Sequence, residues 1–312
     1  MPLRHSLLAV LVMIIWGTNF LAIDIGVDDV PPALFVAIRF VVVLVPAIFL
    51  VPRPAAAMKD VLVVGLFLSL GQFGLMYTAI WLDMPPGLAS LVLQAQVVLT
   101  VLFASVALRE RPTTPQLVGV LLGAAGLVIV GLGRSAATPG LAFLLTLGAA
   151  ASWATGNVIV RRLGSAAQVT GTRPTPLAGL SMTVWSALVV PVPMFALALV
   201  LDGPAAIGYS LTHPTWAAVL STLYTAWLAS LVGYGIWNTL LARHRASAVV
   251  PFTMLVPVVG MTAAWLAQGE VPNGAEVGGG LLLLLGVAVT SGLLRWPGRP
   301  GRPGRPRFGA SA

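Results

Sequence analysis

Residues 107–126 read ALRERPTTPQLVGVLLGAAG, and residues 266–286 read LAQGEVPNGAEVGGGLLLLLG. Setting Glu110 on Glu270 gives an offset of 160, under which Pro112 meets Pro272, Gly119 meets Gly279 and Gly126 meets Gly286. Upstream, GLASLVLQAQVV (87–98) aligns with HRASAVVPFTML (244–255) at an offset of 157, with Ala89–Ser90 on Ala246–Ser247, so a small insertion separates the two blocks. The openings echo as well, WGTNFLAIDIG from Trp16 against WATGNVIVRRLG from Trp153. Self-similarity over so long a period points to two copies of one structural plan.

The 312 residues around these blocks are 58% hydrophobic and only 8% charged. A soluble domain carries about 25% charged residues, so the solvent of this chain is not water. A spanning helix needs about 20 mostly apolar residues. The sequence predicts ten of them, at 6–25, 33–51, 60–82, 86–108, 114–132, 139–163, 176–201, 214–241, 246–267 and 274–294. The linkers are short and marked by Pro or charge, as at Pro31–Pro32, Pro52–Arg53–Pro54, Pro85–Pro86 and Pro112. Unpaired backbone groups in lipid cost several kcal/mol each, so the spans are helical. The N-terminus has the basic start and apolar run of a signal peptide, but it shows no evident cleavage site and runs into a hairpin, so it is read as the first span.

Charge sets the expected orientation. With ten alternating spans and a cytoplasmic N-terminus, the inner loops hold Arg4, Arg53, Lys59, Arg109, Arg111, Arg161, Arg162, Arg173, Arg243, Arg245, Arg295, Arg299, Arg302, Arg305 and Arg307. That is fifteen of the seventeen basic residues; only Arg134 falls outside, and Arg39 lies within a span. Asp24, Asp28, Asp29, Asp83, Asp202, Glu270 and Glu276 fall outside or near that boundary. The positive-inside rule therefore places both termini in the cytoplasm. The expectation is an all-α polytopic membrane protein: five spans in residues 1–132, five in 139–294, and a basic tail at 295–312. Five is odd, so the second half enters the membrane from the opposite side, the inverted-repeat plan of many secondary transporters.

The net charge of +8 is thereby explained without nucleic acid. The tail WPGRPGRPGRPRFGASA has too few Gly-Arg-Pro triplets for a collagen helix, and a basic cytoplasmic segment beside a span suits anionic lipid rather than a DNA groove. There is no cysteine, which excludes disulfides and thiolate chemistry. His5, His213 and His244 lie outside or at the ends of spans, and the chain has no paired carboxylates, HExxH or phosphate loop. Nothing in the sequence signals a cofactor or a metal. A membrane-embedded lipid-processing enzyme is disfavoured on these grounds.

Polar residues inside the spans are candidates for binding a small-molecule substrate. Arg39 lies about 12 Å below the outer boundary. A charge at that depth costs at least ~2.5 kcal/mol, so it faces protein or a wet cavity. It either meets a substrate carboxylate or forms a structural ion pair, with Asp24 the evident partner. Gln94 and Gln96 lie near the midplane and point about 200° apart on a regular helix, so one faces the path and the other bonds a neighbouring helix; Gln94 is the expected pocket residue. Trp16 and Asn19 share a face of the first span, with Asn157 in the nearest equivalent place of the second half; an interhelical amide pair is the alternative. Tyr224, Trp227, Ser230, Tyr234, Trp237 and Asn238 form one stripe at helical spacing, either a wall of the path or plain packing. Gln72, Tyr77 and Trp185 are weaker candidates that packing alone also explains.

The WGTNF opening, Ala37–Ile38–Arg39–Phe40, and the Glu-x-Pro junctions followed by glycine-bearing helices resemble the EamA family of the drug/metabolite transporter superfamily. The resemblance spans residues 7–132 and 139–293. The stretch MPPGLASLVLQAQ (84–96) is most similar to the branch associated with export of cysteine and O-acetylserine. It implies a cell-membrane exporter of small polar metabolites working by alternating access, with the first and sixth spans as cavity walls. Uptake of a sugar or nucleotide-sugar is the chemically close alternative.

Overall fold

The computed structural model describes residues 1–169 and 178–293; the basic tail and residues 176 and 177 of the seventh expected span lie outside them. Among the described residues every regular element is helical. In chain order, a single turn at Ala246–Val249 aside, these are α1 (Leu3–Val27), α2 (Pro32–Leu50), α3 (Met58–Trp81), α4 (Pro86–Ala107), α5 (Thr114–Gly133), α6 (Gly140–Val169), α7 (Leu180–Leu201), a short α8 (Gly203–Thr212), α9 (Trp216–Arg243), α10 (Val250–Gln268) and α11 (Gly274–Thr290).

Nine of them, all but α8 and α11, are long and apolar enough to cross a membrane; α11 is apolar but has 17 residues. Their outer surfaces are greasy, with Phe49 85% and Leu132 84% exposed. A bundle that buries Arg39 while exposing such side chains is built for lipid. The chain is a multi-pass membrane protein.

The caps explain where two helices start. Thr113 accepts the Gln116 N–H while the Gln116 side chain accepts the Thr113 N–H, a capping box opening α5. Asn273 and Glu276 build the same box at α11. These positions lie 160 apart, like Glu110 and Glu270. At the same offset, Arg109 (φ 54°) and Gly269 (φ 72°) both hold the left-handed conformation just beyond α4 and α10. Arg109 pays there the strain that Gly269 avoids.

Between α5 and α11 the backbones touch. A β-carbon on Gly119 would stand 2.7 Å from the Gly286 carbonyl oxygen, and one on Gly286 would stand 2.6 Å from that of Gly119. Small residues give membrane helices this close approach. The other main packings are α1 on α9 and α10, α6 on α3 and α4, α4 on α10, and α2 on α7.

Several helices are irregular, α7 among them with a tight turn at Ala187–Val189. Residues Leu66–Gly71 of α3 and Tyr224–Gly233 of α9 are π-helical. α4 breaks between Val92 and Ala95, and α10 begins with a tight turn over Val250–Met254 that contains Pro251. The breaks change which side chains share a face, and so decide the composition of the site.

Candidate functional site

The polar interior is organised on the π-helical part of α9. Widening the helix frees its carbonyls from their ordinary partners. The Trp16 indole N–H of α1 donates to Ala229 O at 3.0 Å, and the next residue, Ser230, accepts from Nη2 of Arg39 at 3.0 Å. Ser230 itself donates to Thr225 O, five residues back, at 2.9 Å. α1, α2 and α9 thus converge on two adjacent residues.

Arg39 is 2% exposed. Its Nη1 donates to the Tyr77 hydroxyl at 2.8 Å, and its guanidinium carbon lies 4.1 Å from the centre of the Phe73 ring. Phe40 and Tyr77 flank it at 5.5 and 5.7 Å. Aromatic faces offset about 2 kcal/mol of the cost when the cation is desolvated. Its Nε has no hydrogen-bond partner. The ion pair with Asp24, one of the two alternatives, is absent: the Asp24 carboxylate accepts from the Gln268 side chain near the C-terminal end of α1, and among the described residues no carboxylate lies within 4.0 Å of Arg39. Asp24 is instead engaged by Gln268 of α10.

Around this centre Trp16 packs against Tyr234 and Trp237, with ring centres 5.0 and 5.5 Å apart. Asn19, one turn along α1 from Trp16, is buried with an unpartnered Oδ1, and Asn238, beside Trp237, has an unpartnered buried Nδ2. Gln72 is buried next to Phe73, where the π turns of α3 end. The structure therefore brings Trp16, Asn19, Arg39, Gln72, Tyr234 and Asn238 into the bundle's interior.

Each of the two glutamines hydrogen-bonds a neighbouring helix. The α4 break lets the Gln94 Nε2–H donate to Thr253 O of α10 at 2.9 Å, and Gln94, 5% exposed, joins the two helices. Gln96 is partly accessible and accepts from Asn157 Nδ2 of α6 at 3.1 Å. The 200° separation assumed a regular helix, and the helix is not regular there.

Two tryptophans leave the cluster. Trp227 is 47% exposed on the outer surface, its indole N–H donating to Val42 O at 3.2 Å. The stripe expected on α9 assumed 3.6 residues per turn, whereas the π turns rotate Trp227 away from Ser230. Trp185 donates to Val51 O at 3.1 Å, tying α7 to the end of α2. Sequence reasoning missed Phe73. It lies four residues before Tyr77, a spacing that puts both on one helix face.

Outside the spans, the Glu270 carboxylate accepts the Gly87 and Leu88 N–H groups at 3.0 and 3.1 Å, closing the start of α4. Burial pushes its carboxyl above the ordinary carboxylate value, and those two hydrogen bonds partly oppose the shift. An apolar cleft of about 490 Å³ lies between α2 and α7, lined by Leu34, Ile38, Val41, Val192, Phe195 and others. None of the polar cluster lines it.

These features define a class: a polytopic membrane protein whose buried Arg39 sits in an aromatic, amide-bearing interior, the build of a carrier for small polar molecules. The chain belongs to the EamA-like transporter family, whose model matches residues 3–132 and again 140–292. It is 39% identical over 300 residues to a "Probable amino-acid metabolite efflux pump" of Escherichia coli, covering 95% of this chain and 97% of that protein. A "Probable terminal-alkyne amino-acid exporter" of Streptantibioticus cattleyicolor is 28% identical over 285 residues, covering 89% and 90% of the two chains. A solved crystal structure is similar at a TM-score of 0.60 and 23% identity, over 94% of this chain and 98% of that one, and this likeness concerns the fold alone.

Proposed function

We propose that the protein is a secondary-active exporter of small polar metabolites, amino acids or derivatives of the cysteine and O-acetylserine type, in the inner membrane. The observation that carries the proposal is the convergence of Trp16, Arg39, Tyr77 and Ser230 within an apolar bundle of this family. Relatives named for amino-acid export supply the substrate class. Trp16, Asn19, Arg39, Gln72, Gln96, Asn157, Tyr234 and Asn238 are the residues of the path, and α11 is the tenth span.

The proposal includes two inverted halves with both termini cytoplasmic. Support comes from the twin family matches and from contacts that exchange under the repeat offset: Gly119 meets Gly286, and Gly126 meets Gly279. Reciprocal contact of this kind is the mark of a two-fold relation. The packings follow suit, α1 on α9 and α10 against α6 on α3 and α4. Two pseudo-equivalent halves give two pseudo-equivalent states, the basis of alternating access.

The test is an efflux panel. Cells overproducing the protein are loaded with labelled amino acids and cysteine precursors, and faster efflux together with raised tolerance to toxic analogues is expected. Unchanged efflux across the panel refutes the substrate class, and accumulation in place of efflux favours an uptake permease.

A further inference from the structure

Arg39 holds an edge in this interior that is open to an anion. In a guanidinium, Nε and one terminal nitrogen share an edge able to grip both oxygens of a carboxylate. Here Nε is buried and unpartnered, and Nη2 holds only the Ser230 hydroxyl, while Nη1 is separately satisfied by Tyr77. Ser230 has a second partner, Thr225 O at 2.9 Å, so losing Arg39 does not strand its hydroxyl.

We propose that a substrate carboxylate binds Arg39 along the Nε–Nη2 edge by displacing the Ser230 hydroxyl, which makes a free carboxylate the recognised group and Ser230 its placeholder. This rests on the transport reading above and deepens it. Tyr77 and Phe73 keep the guanidinium in place during the exchange, one by a hydrogen bond and the other by its face. Since no fixed carboxylate lies within 4.0 Å of Arg39 among the described residues, the substrate supplies the missing anion itself. An amide or ester cannot do so: it brings no charge, and it leaves one edge donor poorly matched. Ser230 also belongs to the π-helical part of α9, so binding detaches α2 from that helix at one point. Recognition and helix movement then share a single hydrogen bond.

The test uses the full chain in lipid nanodiscs, with calorimetric titration of L-serine, L-serinamide and propionate. The two carboxylates are expected to bind at least tenfold more tightly than the amide. Arg39→Lys should lose that preference, because an ammonium has no edge. Ser230→Ala, with no hydroxyl to displace, should bind the acids as tightly as the parent or more so. Equal affinity for acid and amide, no binding of either acid, or a tenfold loss in Ser230→Ala overturns the proposal. If Arg39→Lys does not fold, the acid–amide comparison and Ser230→Ala still decide. Propionate binding that depends on Arg39 without any amino-acid efflux removes the amino-acid reading alone. Amino-acid efflux with the acid preference intact in Arg39→Lys removes the anchor alone.

Discussion

The carbonyl oxygen of Gly279 lies 2.5 Å from where a β-carbon on Gly126 would stand, and that of Gly126 lies 2.7 Å from the same point on Gly279. Backbone is the obstacle on both sides, and it cannot rotate away. Gly126→Val or Gly279→Val is expected to force α5 and α11 apart at a cost of about 1–3 kcal/mol for overpacking. Size-exclusion yield and melting temperature in detergent should both fall. Gly208→Ala, which has open space around it, serves as the control and should melt like the parent.

The two capping boxes should not be worth the same. Either cap replaced by Ala costs about 1 kcal/mol. Asn273, however, also donates to Gly133 O at 3.0 Å, joining the start of α11 to the end of α5. Asn273→Ala should therefore lower the melting temperature more than Thr113→Ala. The opposite order would show that the bridge to Gly133 contributes nothing.

Thiol labelling can read the glutamines directly, because the chain has no cysteine of its own. Gln96→Cys is expected to react with a small polar maleimide in intact vesicles and Gln94→Cys to stay protected against Thr253. Protection at 96 with labelling at 94 would place the path on the other side of α4.

Glu270 should give a signature in pH. Its folded carboxyl titrates above the ordinary value of 4.5, because burial disfavours the charge. The folded state thus holds its proton more tightly than the unfolded state, so the group helps stability at low pH, and that help is lost as pH rises from about 4.5 through the raised value. The melting temperature of the parent relative to Glu270→Gln should fall across that window and then level off. A difference that rises with pH would mean that the Gly87 and Leu88 amides outweigh burial.

Much of this architecture was visible in the sequence. Runs of apolar residues and Pro-marked linkers locate the helices to within a few residues, because burial in lipid constrains composition directly. The glycines that align at an offset of 160 mark the repeat, and the structure shows that they also line the α5–α11 seam, a contact that the register alone does not announce. What stayed hidden depends on helix pitch: the π turns of α3 and α9 and the break at Gln94 leave no mark on hydropathy, yet they carry Trp227 outward and Gln94 onto Thr253. Arg39 itself was conspicuous, and Tyr77 and Ser230 stood among the candidates, but nothing in the sequence paired them with it. Coulomb's law suggested Asp24, but the fold uses two hydroxyls and an aromatic face, neutral groups that have no charge to betray them.

That choice of neutral partners also ties the protein to voltage. A lone guanidinium inside the bilayer lies within the membrane's electric field, where carrying one full charge across is worth about 2.3 kcal/mol per 100 mV. With the cell interior negative, the field draws Arg39 toward the arrangement in which it is electrically nearest the cytoplasm. In the proposed alternating-access cycle an empty exporter then waits facing its cargo, and a carboxylate bound at Arg39 as proposed cancels the pull.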